Sequence, residues 1–190
     1  MQAFRTTALV VALGLSAFGA LAGEIANTGI TANGTFNQST GANTKSFQNI
    51  GVAENNGKIR DSGIAVQGAV NTSLGVNSTA RQNIGHVSGD GQLTRTTVIG
   101  TALTNTAVGA FSSATQEAGF AKNSGKVEDS FVSLTGATNT AAGIKATALQ
   151  QVGGATGNGV LRNATVISNG AVNSAGGLLS TAEQRIGVAR

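Results

Sequence analysis

A unit of 34 residues recurs without a gap along most of this chain. The copy from Asn71 to Thr104 slides forward by 34 residues onto 105–138 and again onto 139–172, and backward onto 37–70. Self-similarity at a fixed period is the sequence signature of a repeat architecture, in which each unit buries its apolar face only by stacking on its neighbours. The repeat therefore restricts the chain to structures built from stacked, similar layers.

Two columns of the repeat hold an amide side chain in every copy. The first consists of Asn37, Asn71, Asn105, Asn139 and Asn173. The second consists of Gln48, Gln82, Gln116, Gln150 and Gln184. Identical amides stacked in register bond to one another along the stack. We therefore expect two amide ladders, with the Asn ladder at a corner of each layer.

Two further columns hold glycine, which we interpret as turn positions. One column contains Gly51, Gly85, Gly119, Gly153 and Gly187. The other contains Gly57, Gly91, Gly125 and Gly159, preceded by segments such as Glu54-Asn55-Asn56 and Ser88-Gly89-Asp90. Glycine and asparagine adopt a positive φ at low cost, so these segments predict turns.

Within a unit the apolar pattern has a period of two, which is typical of β-strands. One predicted face contains Val76, Ser78, Ala80, Gln82 and Ile84, and its counterparts include Ile144. The opposite face, predicted to meet solvent, contains Asn77, Thr79, Arg81 and Asn83. A second strand follows the turn, and the spacing of five between Ile59 and Ile64 predicts a bulge or corner.

These patterns predict an all-β fold, a repeat β-solenoid or cross-β stack of 34-residue strand–turn–strand units, parallel and in register. Charged residues agree with this stacking. Asp61, Arg95 and Asp129 share one column. Glu128 and Arg162 share the preceding column and lie on neighbouring layers. Opposite charges on neighbouring strands attract, so these residues favour one register.

The repeat divides the chain into segments. Residues 1–22 have the charged start, short apolar stretch and small-x-small site of a cleaved secretory signal peptide. The remaining segments are an N-terminal half repeat (23–36), four repeats (37–70, 71–104, 105–138 and 139–172) and a C-terminal half repeat (173–190). The two halves together make 14 + 18 = 32 of the 34 columns of one more unit.

Composition favours a structural role over catalysis. The chain has no Pro, Cys, Trp or Tyr, and after removal of Arg5 its 11 Lys and Arg exceed its 8 Asp and Glu by only three scattered charges, which does not indicate nucleic-acid binding. His86 is the only histidine, and we interpret it as structural or solvent-facing. The acidic residues form no carboxylate dyad, and Ser88-Gly89-Asp90-Gly91 lacks the recurrent Asp of a calcium-binding turn. We therefore expect no enzyme activity, no metal and no cofactor.

The chain resembles the bacterial functional amyloids, the curli-type and Fap-type fibre subunits of the biofilm matrix. The likeness consists of tandem Gly/Asn/Gln/Ala/Ser-rich units, the spacings Asn71…Gln82 and Asn139…Gln150, and segments such as Gly75-Val76-Asn77. The resemblance implies secretion through an outer-membrane export pore, polymerisation on the cell surface, and a nucleator subunit as a partner.

The functional hypothesis is a secreted subunit that polymerises with itself, head to tail, into an extracellular fibre. The C-terminal half repeat of one copy would complete a layer with the N-terminal half repeat of the next, an open heterologous contact that generates a filament. One alternative is a monomeric β-solenoid that binds a surface such as ice, carbohydrate or a host cell. Another is a β-helix enzyme, for which the chain lacks a His or carboxylate cluster.

Overall fold

In the computed structural model, residues 24–54, 57–89, 91–123 and 125–189 are described, and they form a β-solenoid of five turns. The predicted signal peptide, residues 1–22, lies outside the described residues. The described residues contain no helix long and apolar enough to span a membrane.

Each turn contains four strands in the same order. The first turn is β1 (Glu24–Ala26), β2 (Gly29–Asn33), β3 (Phe36–Thr40) and β4 (Asn43–Ala53). The second is β5 (Lys58–Arg60), β6 (Gly63–Gln67), β7 (Val70–Leu74) and β8 (Asn77–Val87). The third is β9 (Gln92–Thr94), β10 (Thr97–Thr101), β11 (Thr104–Val108) and β12 (Phe111–Ala121). The fourth is β13 (Lys126–Glu128), β14 (Phe131–Thr135), β15 (Thr138–Ala142) and β16 (Lys145–Ala155). The fifth is β17 (Val160–Arg162), β18 (Thr165–Asn169), β19 (Val172–Gly176) and β20 (Thr181–Ile186).

Strands at the same position in successive turns pair in parallel and form four five-stranded sheets. Sheet A contains β1, β5, β9, β13 and β17; sheet B, β2, β6, β10, β14 and β18; sheet C, β3, β7, β11, β15 and β19; sheet D, β4, β8, β12, β16 and β20. Each residue pairs with the residue 34 positions away, as Gln116 does with Gln82 and Gln150. The predicted parallel, in-register β-solenoid is confirmed, and each 34-residue unit forms one layer of four strands.

The spacing of five between Ile59 and Ile64 corresponds to a corner, as predicted. Strand β5 ends at Arg60, Asp61 adopts a left-handed conformation with φ 51°, and β6 begins at Gly63. The same corner recurs in the other turns at Asn27, Arg95, Asp129 and Asn163, all with positive φ. Asn and Asp tolerate this conformation better than most residues, so the corner has a sequence preference.

The interior has two compartments of different composition. Sheets A and B pack against the C-terminal half of the sheet D strands through branched aliphatic side chains, including Ile59, Leu93 and Val132. Sheet C packs against the N-terminal half of sheet D through alanines, including Ala80, Ala107 and Ala114. Small side chains let the backbones of sheets C and D approach closely, so polar side chains can bridge the two sheets.

Two predictions about the faces of the long strand were wrong. Val76 and Ile144 are 55% and 56% exposed because they lie at the corner between sheets C and D, before the strand begins. Asn83, predicted to meet solvent, is buried at 7% exposure. Gly85 has φ +57° within strand β8, which interrupts the alternation, so that Ile84 and Val87 both belong to the apolar core although they are three positions apart.

Candidate assembly site

The Gln column forms a continuous amide ladder through the interior. Each Gln donates from Nε2 to Oε1 of the Gln one turn earlier, at 2.6 Å from Gln82 to Gln48 and 2.7 Å from Gln116 to Gln82. Gln150 and Gln184 continue the ladder at 2.6 Å each. Gln82, Gln116 and Gln150 are at most 1% exposed. A buried amide without a partner is costly, so the ladder strongly favours one register.

The Asn column forms a second ladder, located within the strands of sheet C and not at a corner as the sequence suggested. Asn71 donates from Nδ2 to Oδ1 of Asn105 at 2.8 Å. The same nitrogen donates to the backbone oxygens of Ser46 and Arg81 in sheet D, at 3.0 Å each. The column therefore ties sheet C to sheet D as well as turn to turn. These cross-sheet contacts could not be predicted from the sequence, because β7 and β8 approach each other only in the folded layer.

The two ladders have opposite polarity. Each Asn donates to the Asn in the following turn, as Asn139 does to Asn173 at 2.8 Å, whereas each Gln donates to the preceding turn. At the first turn, the Asn ladder therefore ends in the acceptor Oδ1 of Asn37. At the fifth turn, the Gln ladder ends in the acceptor Oε1 of Gln184. Each end of the described stack presents one amide that can accept and one that can donate.

The two glycine columns differ in their structural roles. Gly51, Gly85, Gly119, Gly153 and Gly187 all have φ between +56° and +62°. They lie within or directly after the long strand of sheet D, and a Cβ on Gly119 would lie 2.4 Å from Cγ2 of Val132. Gly57, Gly91 and Gly125 are buried and have no positive φ; a Cβ on Gly57 would lie 2.0 Å from the carbonyl oxygen of Ala53. At Gly57, Gly91 and Gly125 this second column marks a close backbone approach and not the positive-φ turn that we predicted. Gly159 occupies the same column in the fifth turn, and Asn55, Asn56, Asp90 and Ser124 lie outside the described residues.

The inter-layer charges form exposed ion pairs on one corner. Arg95 makes a bidentate contact with Asp61 at 2.6 and 2.8 Å, which lowers the pKa of Asp61 and raises that of Arg95. Arg162 Nη1 lies 3.8 Å from Glu128. Asp129 accepts from Asn163 at 3.1 Å. Exposed ion pairs contribute little to stability, so we infer that these residues mainly favour the in-register pairing of neighbouring strands.

A buried polar cluster in sheet D was missed by the sequence analysis. Glu117, 1% exposed, accepts from Lys122 Nζ at 2.6 Å. Its second oxygen lies 3.1 Å from Nδ1 of His86. With its amide oriented by its partners, Gln151 donates to Glu117 at 2.9 Å and accepts from Arg185 at 3.0 Å. Glu117, Gln151 and Arg185 share one column in the third to fifth turns, and His86 of the second turn and Lys122 of the third complete the cluster.

Electrostatics keep Glu117 charged in this cluster. Burial raises the pKa of Glu117, but the hydrogen bonding and charge of His86 and the charge of Lys122 together outweigh burial, so the pKa lies below the ordinary 4.5. His86 is 5% exposed, so of our two interpretations the solvent-facing one is wrong. The signal that could have revealed the cluster is the period itself, which places Glu117 one layer above Asn83 and three positions from the column of His86.

The two ends of the described stack carry unpaired strand edges. In sheet C, Val172 donates its N–H to Ala137 in the turn below. N–H groups alternate in direction along a parallel strand, so those of Asn173 and Ala175 point away from the fourth turn. At the other end, Gly41 donates to Leu74 in the second turn, so the N–H of Gln38 points away from the stack. Such edges are templates for another chain.

Among the described residues, no group of three or more His, Asp or Glu side chains is arranged to hold a metal ion. Comparison with protein families, with curated proteins and with solved structures found no match to this chain.

Proposed function

We propose that this protein is a secreted structural subunit that polymerises head to tail into an extracellular amyloid-like fibre of the biofilm matrix or cell surface. The observation that carries the proposal is the complementarity of the two ends. Asn173 lies in the column of Asn37, and Gln184 in the column of Gln48, so a second copy stacked in the same orientation continues both ladders.

Ladder polarity matches at this junction. Asn173 Nδ2 is the donor end of its ladder and meets the acceptor of Asn37 in the next copy. Gln184 Oε1 is the acceptor end and meets Nε2 of Gln48, which in the single chain donates to Thr35 Oγ1 at 3.0 Å. Stacking two copies in opposite orientations would put donor against donor and make the strands antiparallel. The contact therefore repeats in one direction and does not close, which produces a filament.

Proline in the last turn tests this mechanism. In Ala175→Pro the lost N–H points away from the body of the protein, so the variant keeps its internal ladder while its ring blocks the next copy. We expect Ala175→Pro to fold, to show β-rich circular dichroism, and to remain a single particle where the wild type forms fibres. The matched control is Ser174→Ala on the outward face of the same strand, which we expect to elongate normally. Fibres of ordinary length from Ala175→Pro would contradict the proposal.

The alternative function, a monomeric surface-binding solenoid, has the same fold. It requires the purified wild-type protein to stay a single particle, whereas the fibre subunit elongates. Light scattering and negative-stain microscopy of the secreted form distinguish the two. The nucleator subunit and the export pore implied by the resemblance are tested separately, by co-purification from secreting cells.

A further inference from the structure

Charge is distributed unevenly around the solenoid. The ten strands of sheets B and C contain no Asp, Glu, Lys, Arg or His, whereas sheets A and D hold, for example, Lys58, Arg60 and Glu117. Sheet B borders the charged corner at Asp61, Arg95 and Asp129. Sheet C is bordered by sheet B on one side and, on the other, by an apolar corner that includes Val76, Ile144 and Leu178, which are 55%, 56% and 86% exposed.

The outward face of sheet C is uncharged and consists mostly of small and β-branched side chains, with Phe36, Gln38 and Leu74, stacked in register. Its central column contains Gln38, Thr72, Thr106, Thr140 and Ser174. The flanking columns contain Phe36, Val70, Thr104, Thr138 and Val172, and Thr40, Leu74, Val108, Ala142 and Gly176. Phe36, Val108 and Val172 are 59%, 40% and 53% exposed. Stacked strands of this composition interdigitate with a second sheet in a dry interface.

We propose that the outward face of sheet C is a lateral interface on which a second fibre of the same subunit packs. The occupant is a second copy because uncharged faces then meet while the charged sheets A and D stay in water. The proposal rests on the proposed function. Five layers of a five-residue strand present roughly 400 Å² per subunit, from ~3.3 Å per residue and ~4.8 Å per layer.

This area determines when pairing occurs. A stable interface between two proteins buries about 800 Å² per partner, so one subunit offers only about half of what is needed. A fibre repeats the face along its length, and linked weak contacts combine into tight association. Pairing therefore belongs to the fibre, and single subunits blocked at Ala175 stay unpaired.

The mass per length of fibres tests the interface. We expect wild-type fibres to contain two subunits for each axial rise of about 24 Å, five layers of ~4.8 Å. In Thr106→Lys a charge lies at the centre of the sheet C face, and we expect the mass per length to fall twofold with the rise unchanged. Ser113→Lys places the same charge on the outward face of sheet D in the same turn, between the uncharged Thr79 and Thr147, and should leave the value at two. Wild-type fibres with one subunit per rise, or doubled Thr106→Lys fibres, would overturn the lateral interface but not the fibre. A wild type that forms no fibre would overturn both.

A milder substitution gives an independent measurement. The chain has no cysteine, so Thr106→Cys carries the only thiol. Facing sheets pack ~10 Å apart, whereas equivalent residues along one fibre are separated by about 24 Å. A bismaleimide with a spacer of about 10 Å should therefore cross-link Thr106→Cys fibres into dimers and leave Gln92→Cys fibres monomeric. Equal cross-linking of the two variants would contradict the assignment of the interface to sheet C.

Discussion

Gln82 donates to Gln48 one turn below, whereas Asn71 donates to Asn105 one turn above, so the two amide ladders run in opposite directions through the same stack. Backbone oxygens fix the direction of the Asn ladder, since each Nδ2 also donates to sheet D. Opposed ladders give each end of the stack both a donor and an acceptor. This property makes the two ends complementary in one orientation only.

The Gln ladder should be a major source of stability. In Gln116→Ala, Gln82 loses a donor and Gln150 loses an acceptor, both in the interior, and a cavity forms. We expect a loss of about 2–5 kcal/mol in the free energy of unfolding. The measurement is urea denaturation in the Ala175→Pro background, which keeps the protein monomeric. Thr115→Ala, on the outward side of the same strand, is the control and should change the free energy by less than about 1 kcal/mol.

Alanine substitutions at two glycines distinguish the cost of backbone strain from the cost of overpacking. Gly119 and Gly136 have φ +58° and +62°, but a Cβ on Gly119 would lie 2.4 Å from Val132, whereas one on Gly136 would be 3.9 Å from its nearest neighbour. We expect Gly136→Ala to cost about 1 kcal/mol from the left-handed conformation alone. Gly119→Ala should cost about 1–3 kcal/mol more than Gly136→Ala, because its Cβ overpacks against Val132. Equal thermal shifts of the two variants would show that the contact with Val132 relaxes without cost.

Acid should weaken the buried cluster. The pKa of Glu117 is lowered in the folded state, so Glu117 contributes stability above its unfolded pKa, and this contribution is lost as the pH falls from about 4.5 through the lower folded value. Lys122, His86 and, through Gln151, Arg185 face this carboxyl group. We expect the difference in unfolding free energy between wild type and Glu117→Gln to shrink as the pH falls below about 5. A difference that is constant over this range would show that Glu117 does not titrate with folding.

Two variants, each blocked at a different end, should be able to form one head-to-tail contact with each other. Ala175→Pro closes the edge of the fifth turn, and Gln38→Pro closes the edge of the first turn, since both lost N–H groups point away from the stack. Each variant alone should remain monomeric. Mixed in equal amounts they should form a heterodimer, with the open first turn of Ala175→Pro on the open fifth turn of Gln38→Pro. Sedimentation velocity measures this, and a mixture that stays monomeric or that forms long fibres would contradict head-to-tail stacking.

The period and the column composition were sufficient to predict the parallel, in-register solenoid. Asn, Gln and Gly recur in the same columns because these positions need an amide ladder or a glycine backbone in every layer. In the second half of the long strand of sheet D, Ile84 is buried as predicted, but the burial of Asn83 was not predicted. Gly85 interrupts the alternation inside a strand, and a period-two pattern does not reveal which glycine does so. Glu117 and His86 were missed for the same reason: they share no repeated identity with their columns, and their meeting depends on that local bend.

The axial rise per subunit, measured by cryo-electron microscopy of fibres grown from the protein without residues 1–22, tests the central claim most directly. Five in-register layers at ~4.8 Å predict a rise of about 24 Å, with Gln184 of one copy stacked on Gln48 of the next. A protein that remains a single particle, or a fibre in which neighbouring copies meet in opposite orientations, would contradict the account.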